Sequence, residues 1–263
     1  MRSKRFGMAS NRKLLFERLS MRCMMAADLQ SDHYDDDSFL RFDSDGLAYY
    51  LDPEFVPDAK GETSDTPILS GPGLLSVPAY HSNASYPKKI YLDFDGQQIS
   101  GTTWNNKVYN GSYNTGNVIN APAFSLDSDL TTYSPTELAA IQEVWARVAE
   151  DYAPFQVDVT TESPSAAAFT AGGQAIRVMI STDIDATTGQ QWYPSAGGVA
   201  YLNSWNWTNG SPVWVFRNRL GSSSKNFAEA ASHEVGHAYN LSHDGRITPA
   251  ESYYAGHGSG ATG

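Results

Sequence analysis

Residues 233–244 read His-Glu-Val-Gly-His-Ala-Tyr-Asn-Leu-Ser-His-Asp, so three of the chain's six histidines fall within one short stretch. At the chain's own residue frequencies a His-Glu-x-x-His arises by chance in about 0.5% of such sequences. A further His six positions on lowers this to about one in ten thousand, which lifts the stretch above the background of short motifs. His233 and His237 are four apart, so on a helix both imidazoles leave one face about a turn from each other. Each can present a ring nitrogen to one zinc ion at roughly 2.0–2.1 Å. Glu234, beside the first of them, stays near the metal without binding it. Three protein nitrogens leave a fourth position for water, the pattern of a catalytic rather than a structural zinc site. Zinc lowers the pKa of such a water to about 7, and Glu234 can take its proton as general base.

Placing His243 with the other two requires the helix to stop. Asn240 follows His237 by three residues, and Asn is prominent among non-glycine residues in the left-handed conformation that ends helices. A reversal there predicts His243 as the third ligand. Upstream, Ser222-Ser223-Ser224 offers N-caps, and Phe227, Ala230, Ala231 and Val235 supply the apolar positions of the helix.

The elements that must hold this helix read as an α+β fold. Lys88–Phe94 alternates as a strand and ends at Asp95-Gly96. The Gly/Asn/Ser/Thr-rich stretch from Gln97 to Asn120 predicts a long loop with a hairpin. Ser134-Pro135-Thr136-Glu137 is a helix start, with Ser as N-cap, Pro in the first turn and Glu completing a capping box. Leu138, Ile141, Val144, Trp145, Val148 and Tyr152 follow at helical spacing, and Pro154 ends the run. Further strands are predicted at Phe155–Thr160, Ala175–Ile180, Gly198–Leu202 and Val213–Phe216, giving a mixed sheet with helices packed on it.

The zinc stretch resembles the elongated signature of the metzincin metallopeptidases, His-Glu-x-x-His-x-x-Gly-x-x-His. The resemblance implies His233, His237 and His243 as zinc ligands, Glu234 as catalytic base, and Asp244 as the residue following the third ligand in several of these families. It extends loosely over residues 88–244 and implies a twisted mixed sheet, a long backing helix and an active-site zinc helix. In the family a strand at the sheet edge pairs with extended substrate, and Gly197-Gly198-Val199-Ala200-Tyr201 is similar in kind. Asn240 stands where the family has Gly. The family also has a Met-containing turn beneath the zinc, whereas the last methionine here is Met179, so the chain reads as a fragment lacking its C-terminal part.

Charge divides the 263 residues unevenly. Residues 1–27 hold seven Lys/Arg and one acid, Glu17, leaving 11 bases and 28 acids in the rest. This basic start, with Leu15-Phe16-Glu17-Arg18-Leu19 and Met24-Met25-Ala26, resembles export leaders of large secreted bacterial proteins. A leader is expected over residues 1–30 and a secreted or cell-surface location with it; a basic N-terminus without fixed structure is the other reading. Residues 31–87, acidic and rich in Pro and Gly, read as a linker or pro-region, with Leu47–Leu51 able to pack locally. Residues 88–263 are then the zinc peptidase domain. The net charge of −11 argues against general nucleic-acid binding. No apolar run is long enough to span a membrane. The single cysteine, Cys23, excludes an internal disulfide framework and a cysteine zinc cage.

Other candidates read more plainly. Asp93-Phe94-Asp95-Gly96 and Asp127-Ser128-Asp129 offer the hard oxygens that calcium prefers, but without the full loop spacing, so turn and cap roles are expected. His257 reads as a surface residue, Tyr253 and Tyr254 as packed or exposed aromatics, and Trp192, Trp205, Trp207 and Trp214 as core or rim. Glu251 is an alternative third ligand to His243. The expected function is a monomeric zinc endopeptidase acting on protein or peptide substrates with one catalytic Zn2+. The competing function is a cell-surface binding module that holds zinc for structure alone.

Overall fold

The computed structural model describes residues 39–52 and 76–243. The expected leader, Cys23, Asp244, Glu251, Tyr253, Tyr254 and His257 lie outside the described residues. The elements are β1 (Leu40–Phe42), β2 (Ala48–Leu51), β3 (Lys89–Asp93), β4 (Gln97–Ser100), β5 (Val108–Tyr109), β6 (Tyr113–Asn114), β7 (Val118–Ala121), α1 (Pro135–Asp151), β8 (Asp158–Thr160), α2 (Ala166–Phe169), β9 (Ala175–Ser181), β10 (Gly198–Tyr201), β11 (Val213–Phe216) and α3 (Ser224–Ala238). All lie in the unit spanning Phe39–Ser242.

Seven strands form one mixed sheet in the order β1-β2-β10-β11-β9-β3-β8. Its β11-β9-β3-β8 half is parallel, and its β1-β2-β10-β11 half is antiparallel. The fold is therefore α+β with few helices, as the pattern predicts. Because successive strand residues point to opposite faces, β11 sends Val213 and Val215 to one side and Trp214 and Phe216 to the other. The first face, with Ile90, Leu92, Ile176, Val178 and Ile180, packs under Ile141, Val144 and Val148 of α1 and Phe227, Ala231 and Val235 of α3. The second face is covered by the long loop and its two hairpins, β4–β7 and β5–β6, through Trp104, Tyr109 and Ile119. Trp192, Trp205 and Trp214 are buried and Trp207 is half-buried.

Helix α1 begins as its sequence requires. Ser134 Oγ accepts from the Glu137 amide at 3.3 Å, and Glu137 Oε2 accepts from the Ser134 amide at 2.8 Å. Glu137 is buried, and its other carboxylate oxygen accepts the Leu126 amide at 2.6 Å, pinning the preceding loop. At the far end Tyr152 Oη donates to the Ser232 carbonyl at 3.0 Å, and Ser232 Oγ donates to Asp151 at 2.6 Å. Thus α1 braces α3 one residue before His233.

Two expectations change. The strand read over Phe155–Thr160 is only Asp158–Thr160, because Phe155 belongs to the turn after α1, where its amide donates to the Tyr152 carbonyl. Within the segment read as linker or pro-region, β1 and β2 form a hairpin that joins the main sheet. At the opposite edge of the sheet, the isolated bridge of His81 to Thr160 of β8 shows that residues before Lys88 are also built in.

Candidate metal centre

Helix α3 carries His233 and His237, as spaced. Its C-terminus closes through paired backbone bonds: the Asn240 amide donates to the His237 carbonyl at 2.8 Å and the Leu241 amide to the Gly236 carbonyl at 3.0 Å. This 5→2 and 6→1 pair needs a left-handed residue between helix and exit. Asn240 supplies it with φ 72°. The same turn serves the chemistry, because the Leu241 carbonyl oxygen lies 2.7 Å from His237 Nδ1. A carbonyl only accepts, so Nδ1 holds the proton and Nε2 keeps its lone pair facing His233.

His237 Nε2 and His233 Nε2 stand 2.9 Å apart. Asp52 Oδ1 is 3.3 Å from His233 Nε2, and Asp52 Oδ2 is 3.5 Å from His237 Nε2. Asp52, His233, His237 and His243 each offer one ligand atom, with all four atoms within 4.8 Å of one another. Tetrahedral ligands at zinc distances are separated by about 3.3 Å, so the spacings among Asp52, His233 and His237 match the edges of one coordination sphere. Three imidazoles and a carboxylate suit a borderline cation such as zinc. Burial holds the His237 pKa below its usual value, against the pull of Asp52, and His233 adds to the lowering. A neutral imidazole is the form that binds metal.

Asp52 has no counterpart in the sequence reading, which left the fourth position to water. It follows β2, and β2 pairs antiparallel with β10 in the register Leu51↔Val199, Tyr50↔Ala200 and Tyr49↔Tyr201. The Gly197 amide donates to the Asp52 carbonyl at 3.2 Å, extending the ladder to the candidate ligand set. Tyr50 stacks on the His237 ring at 4.5 Å between centroids. The strand expected at a free sheet edge therefore has both neighbours filled, β11 on one side and β2 on the other. The only sequence signal for Asp52 was the apolar alternation Leu47–Leu51 running into an acid; nothing in spacing ties it to histidines so far along the chain.

Glu234 lies against β10, where a Cβ added to Gly198 would stand 2.4 Å from Glu234 Oε1. Glu234 is 1% exposed. Burial, and then the Asp52 carboxylate nearby, push its pKa well above the usual carboxylate range. The pairs considered for calcium serve turns. Asp93 Oδ1 accepts the Asp95 amide, Asp127 Oδ1 accepts the Asp129 amide, and Asp129 is bonded by Thr131 and Thr132. Among the described residues, no helix is long and apolar enough to cross a membrane.

No protein-family model, curated protein or solved structure matches the chain.

Proposed function

We propose that this chain is a zinc-dependent endopeptidase of metzincin type, exported to the cell surface or beyond, with His233, His237 and His243 as metal ligands and Glu234 as general base. The observation that carries the reading is the joint placement of the histidine set and a carboxyl next in sequence to one of the ligands. A structural metal needs no such neighbour, whereas peptide hydrolysis does. Zinc in this set would supply a Lewis acid that makes water a nucleophile near neutral pH and stabilises developing negative charge. Glu234 would take the proton from the attacking water and return it to the leaving amine. Gly198 leaves room for the Glu234 carboxyl beside β10, and the Leu241 carbonyl fixes the tautomer of His237. The order of early strand, long helix, further strands and zinc helix supports the metzincin resemblance, and the basic composition of residues 1–30 supports export.

A second reading is favoured by Asp52. Four protein ligands close a coordination sphere, and closed sites are ordinarily structural. The alternative is thus a zinc-stabilised binding module. Glu234→Gln separates the two when made in the wild-type chain and in an Asp52→Ala chain. The peptidase reading expects zinc to remain bound and casein hydrolysis to be abolished in both. Casein cleavage at the parent rate by the Glu234→Gln chains would refute the role of Glu234.

A further inference from the structure

We propose that Asn110 is a self-modification site, at which the chain's own backbone converts the carboxamide to a carboxylate, while a second copy of the same tripeptide is held inert by the fold. The site is independent of the proposed zinc chemistry. The chain contains two Asn-Gly dipeptides, and each continues into serine: Asn110-Gly111-Ser112 and Asn209-Gly210-Ser211. Asparagine is a chemically labile residue, and a following glycine leaves the next backbone nitrogen open to approach because it has no Cβ. The two tripeptides share one chemistry, so a difference between them belongs to structure.

Asn110 sits at the tip of the β5–β6 hairpin. Asn110 and Gly111 have φ 47° and 70°, the doubly left-handed turn that Asn-Gly favours, and the Ser112 amide donates to the Tyr109 carbonyl at 3.2 Å. Both residues are exposed, and nothing stands within 4 Å of a Cβ built on Gly111. Among the described residues the Asn110 carboxamide has no hydrogen-bond partner. The tip is held by strands of 2 residues each, a ladder short enough to open readily. Asn209 is exposed too, but its carboxamide is fastened at both ends. Its Nδ2 donates to Thr103 Oγ1 at 2.7 Å, and its Oδ1 accepts from the Ser211 amide at 3.2 Å and from Ser211 Oγ at 2.9 Å. Ser211 is buried, and its Oγ accepts the Thr103 amide at 2.9 Å, which ties the same knot again.

The reaction needs only water. The Gly111 amide nitrogen gives up its proton to solvent and attacks Asn110 Cγ. A C–N bond forms, the Cγ–Nδ2 bond breaks, and the departing nitrogen leaves as ammonia, closing a cyclic imide. Water then opens the imide at either of its carbonyls. One product is aspartate; the other is isoaspartate, whose main chain is longer by a carbon. Either carries a new negative charge. At Asn209 the same attack requires Cγ to turn towards Gly210 and so to give up the bonds to Thr103 and Ser211. Each such bond is worth roughly fivefold in an equilibrium, so losing them together slows the attack by on the order of a hundredfold. The hairpin tip is coupled to the sheet, because Tyr109, 1% exposed and next before Asn110, places its Oη 3.0 Å from Tyr201 Oη on β10. A lengthened loop would pull on that contact and on the ring cluster around it.

The test is incubation of the full folded chain in mildly alkaline buffer made with heavy-oxygen water, followed by peptide mapping in a mass spectrometer. Enzymatic methylation of isoaspartate gives a second readout. Asn110 is expected to deamidate at least about tenfold faster than Asn209, and the two rates to converge once the chain is unfolded in urea. Thr103→Val, which removes the acceptor of Asn209 Nδ2, is expected to speed Asn209 severalfold and leave Asn110 unchanged. An Asn110 that stays intact in the folded chain, or is lost no faster than Asn209, overturns the proposal. A difference that persists in urea overturns it as well, since it would belong to the flanking Tyr109 and Thr208 rather than to the fold. Unchanged loss at Asn209 in a folded Thr103→Val chain removes the protection assigned to that contact. The comparison of the two sites in the wild-type chain needs no substitution and decides the matter if Thr103→Val fails to fold.

Discussion

Gly198→Ala is the sharpest probe of how the fold holds the proposed base. The added Cβ would stand 2.4 Å from Glu234 Oε1, 2.8 Å from Cγ and 2.9 Å from Cδ. Non-bonded heavy atoms settle at about 3.5–4.0 Å, so either side must yield by about 1 Å. Neither yields cheaply. Gly198 is in a buried strand paired on both sides, and Glu234 is 1% exposed on a helix packed against β10, β11 and α1. Overpacking of this kind costs roughly 1–3 kcal/mol, to be read as a lowered urea midpoint at unchanged slope. A catalytic group displaced by about 1 Å loses on the order of a hundredfold in rate, to be read as casein hydrolysis in the Asp52→Ala background. Zinc stoichiometry should not change, because the histidines are not touched. The control is Gly236→Ala in α3, where the new Cβ meets only Leu241 Cδ1 at 3.7 Å. It should be stabilising by roughly 0.5–1 kcal/mol. A Gly198→Ala chain with wild-type midpoint and undiminished hydrolysis would refute the wedging of Glu234 against β10.

Further outcomes follow from other contacts. Asn240→Ala should cost about 1–2 kcal/mol in chemical denaturation because alanine must hold φ 72°, while Asn240→Gly should cost nothing measurable. Ser134→Ala should cost about 1 kcal/mol by removing the N-cap of α1; Glu137→Ala should cost more, since it removes a buried carboxylate and the acceptor of the half-buried Leu126 and Ser134 amides. The hydrogen bond to Asp158, aided by Glu162, outweighs burial and raises the His81 pKa above 6.5. Burial works to raise Asp158, but Lys89, His81 and the Asn83 amide outweigh it and hold it below 3.8. The His81 contribution is therefore complete below 6.5 and lost as pH rises through its folded value. The Asp158 contribution is complete above 3.8 and lost as pH falls through its folded value. The stability gap between wild type and His81→Gln should accordingly be wide near about pH 5 and narrow near about pH 8. An equal gap at both would show that the ring contributes only by packing.

What could be read from the chain in advance was local. The start of α1 was visible because Ser134 and Glu137 satisfy one another within a turn that opens on Pro135, and the end of α3 because Asn240 tolerates the left-handed conformation. Strands β9, β10 and β11 were visible because their apolar runs are short and bounded by turn residues. The hairpin and Asp52 were not legible, since β2 is stabilised by a partner strand about 150 residues later and strand pairing leaves no mark at a fixed sequence offset. The acid-rich composition around it pointed to a linker, because hydropathy records average polarity and not the one face of β2 that packs Tyr49. Phe155 misled in the opposite way, since alternation continued past the turn that sets the true first residue of β8.

The pairing of β2 with β10 also orders events in time. During synthesis Tyr49 leaves the ribosome long before Tyr201, its partner in the ladder, exists. The early strand must therefore wait while the central parallel strands are made, and bridging so wide an interval carries a loop-closure entropy that only a formed β10 can repay. Pulse-labelled amide exchange on refolding chains should find β3 and β9 protected before β2, so that the piece made first is the piece that docks last.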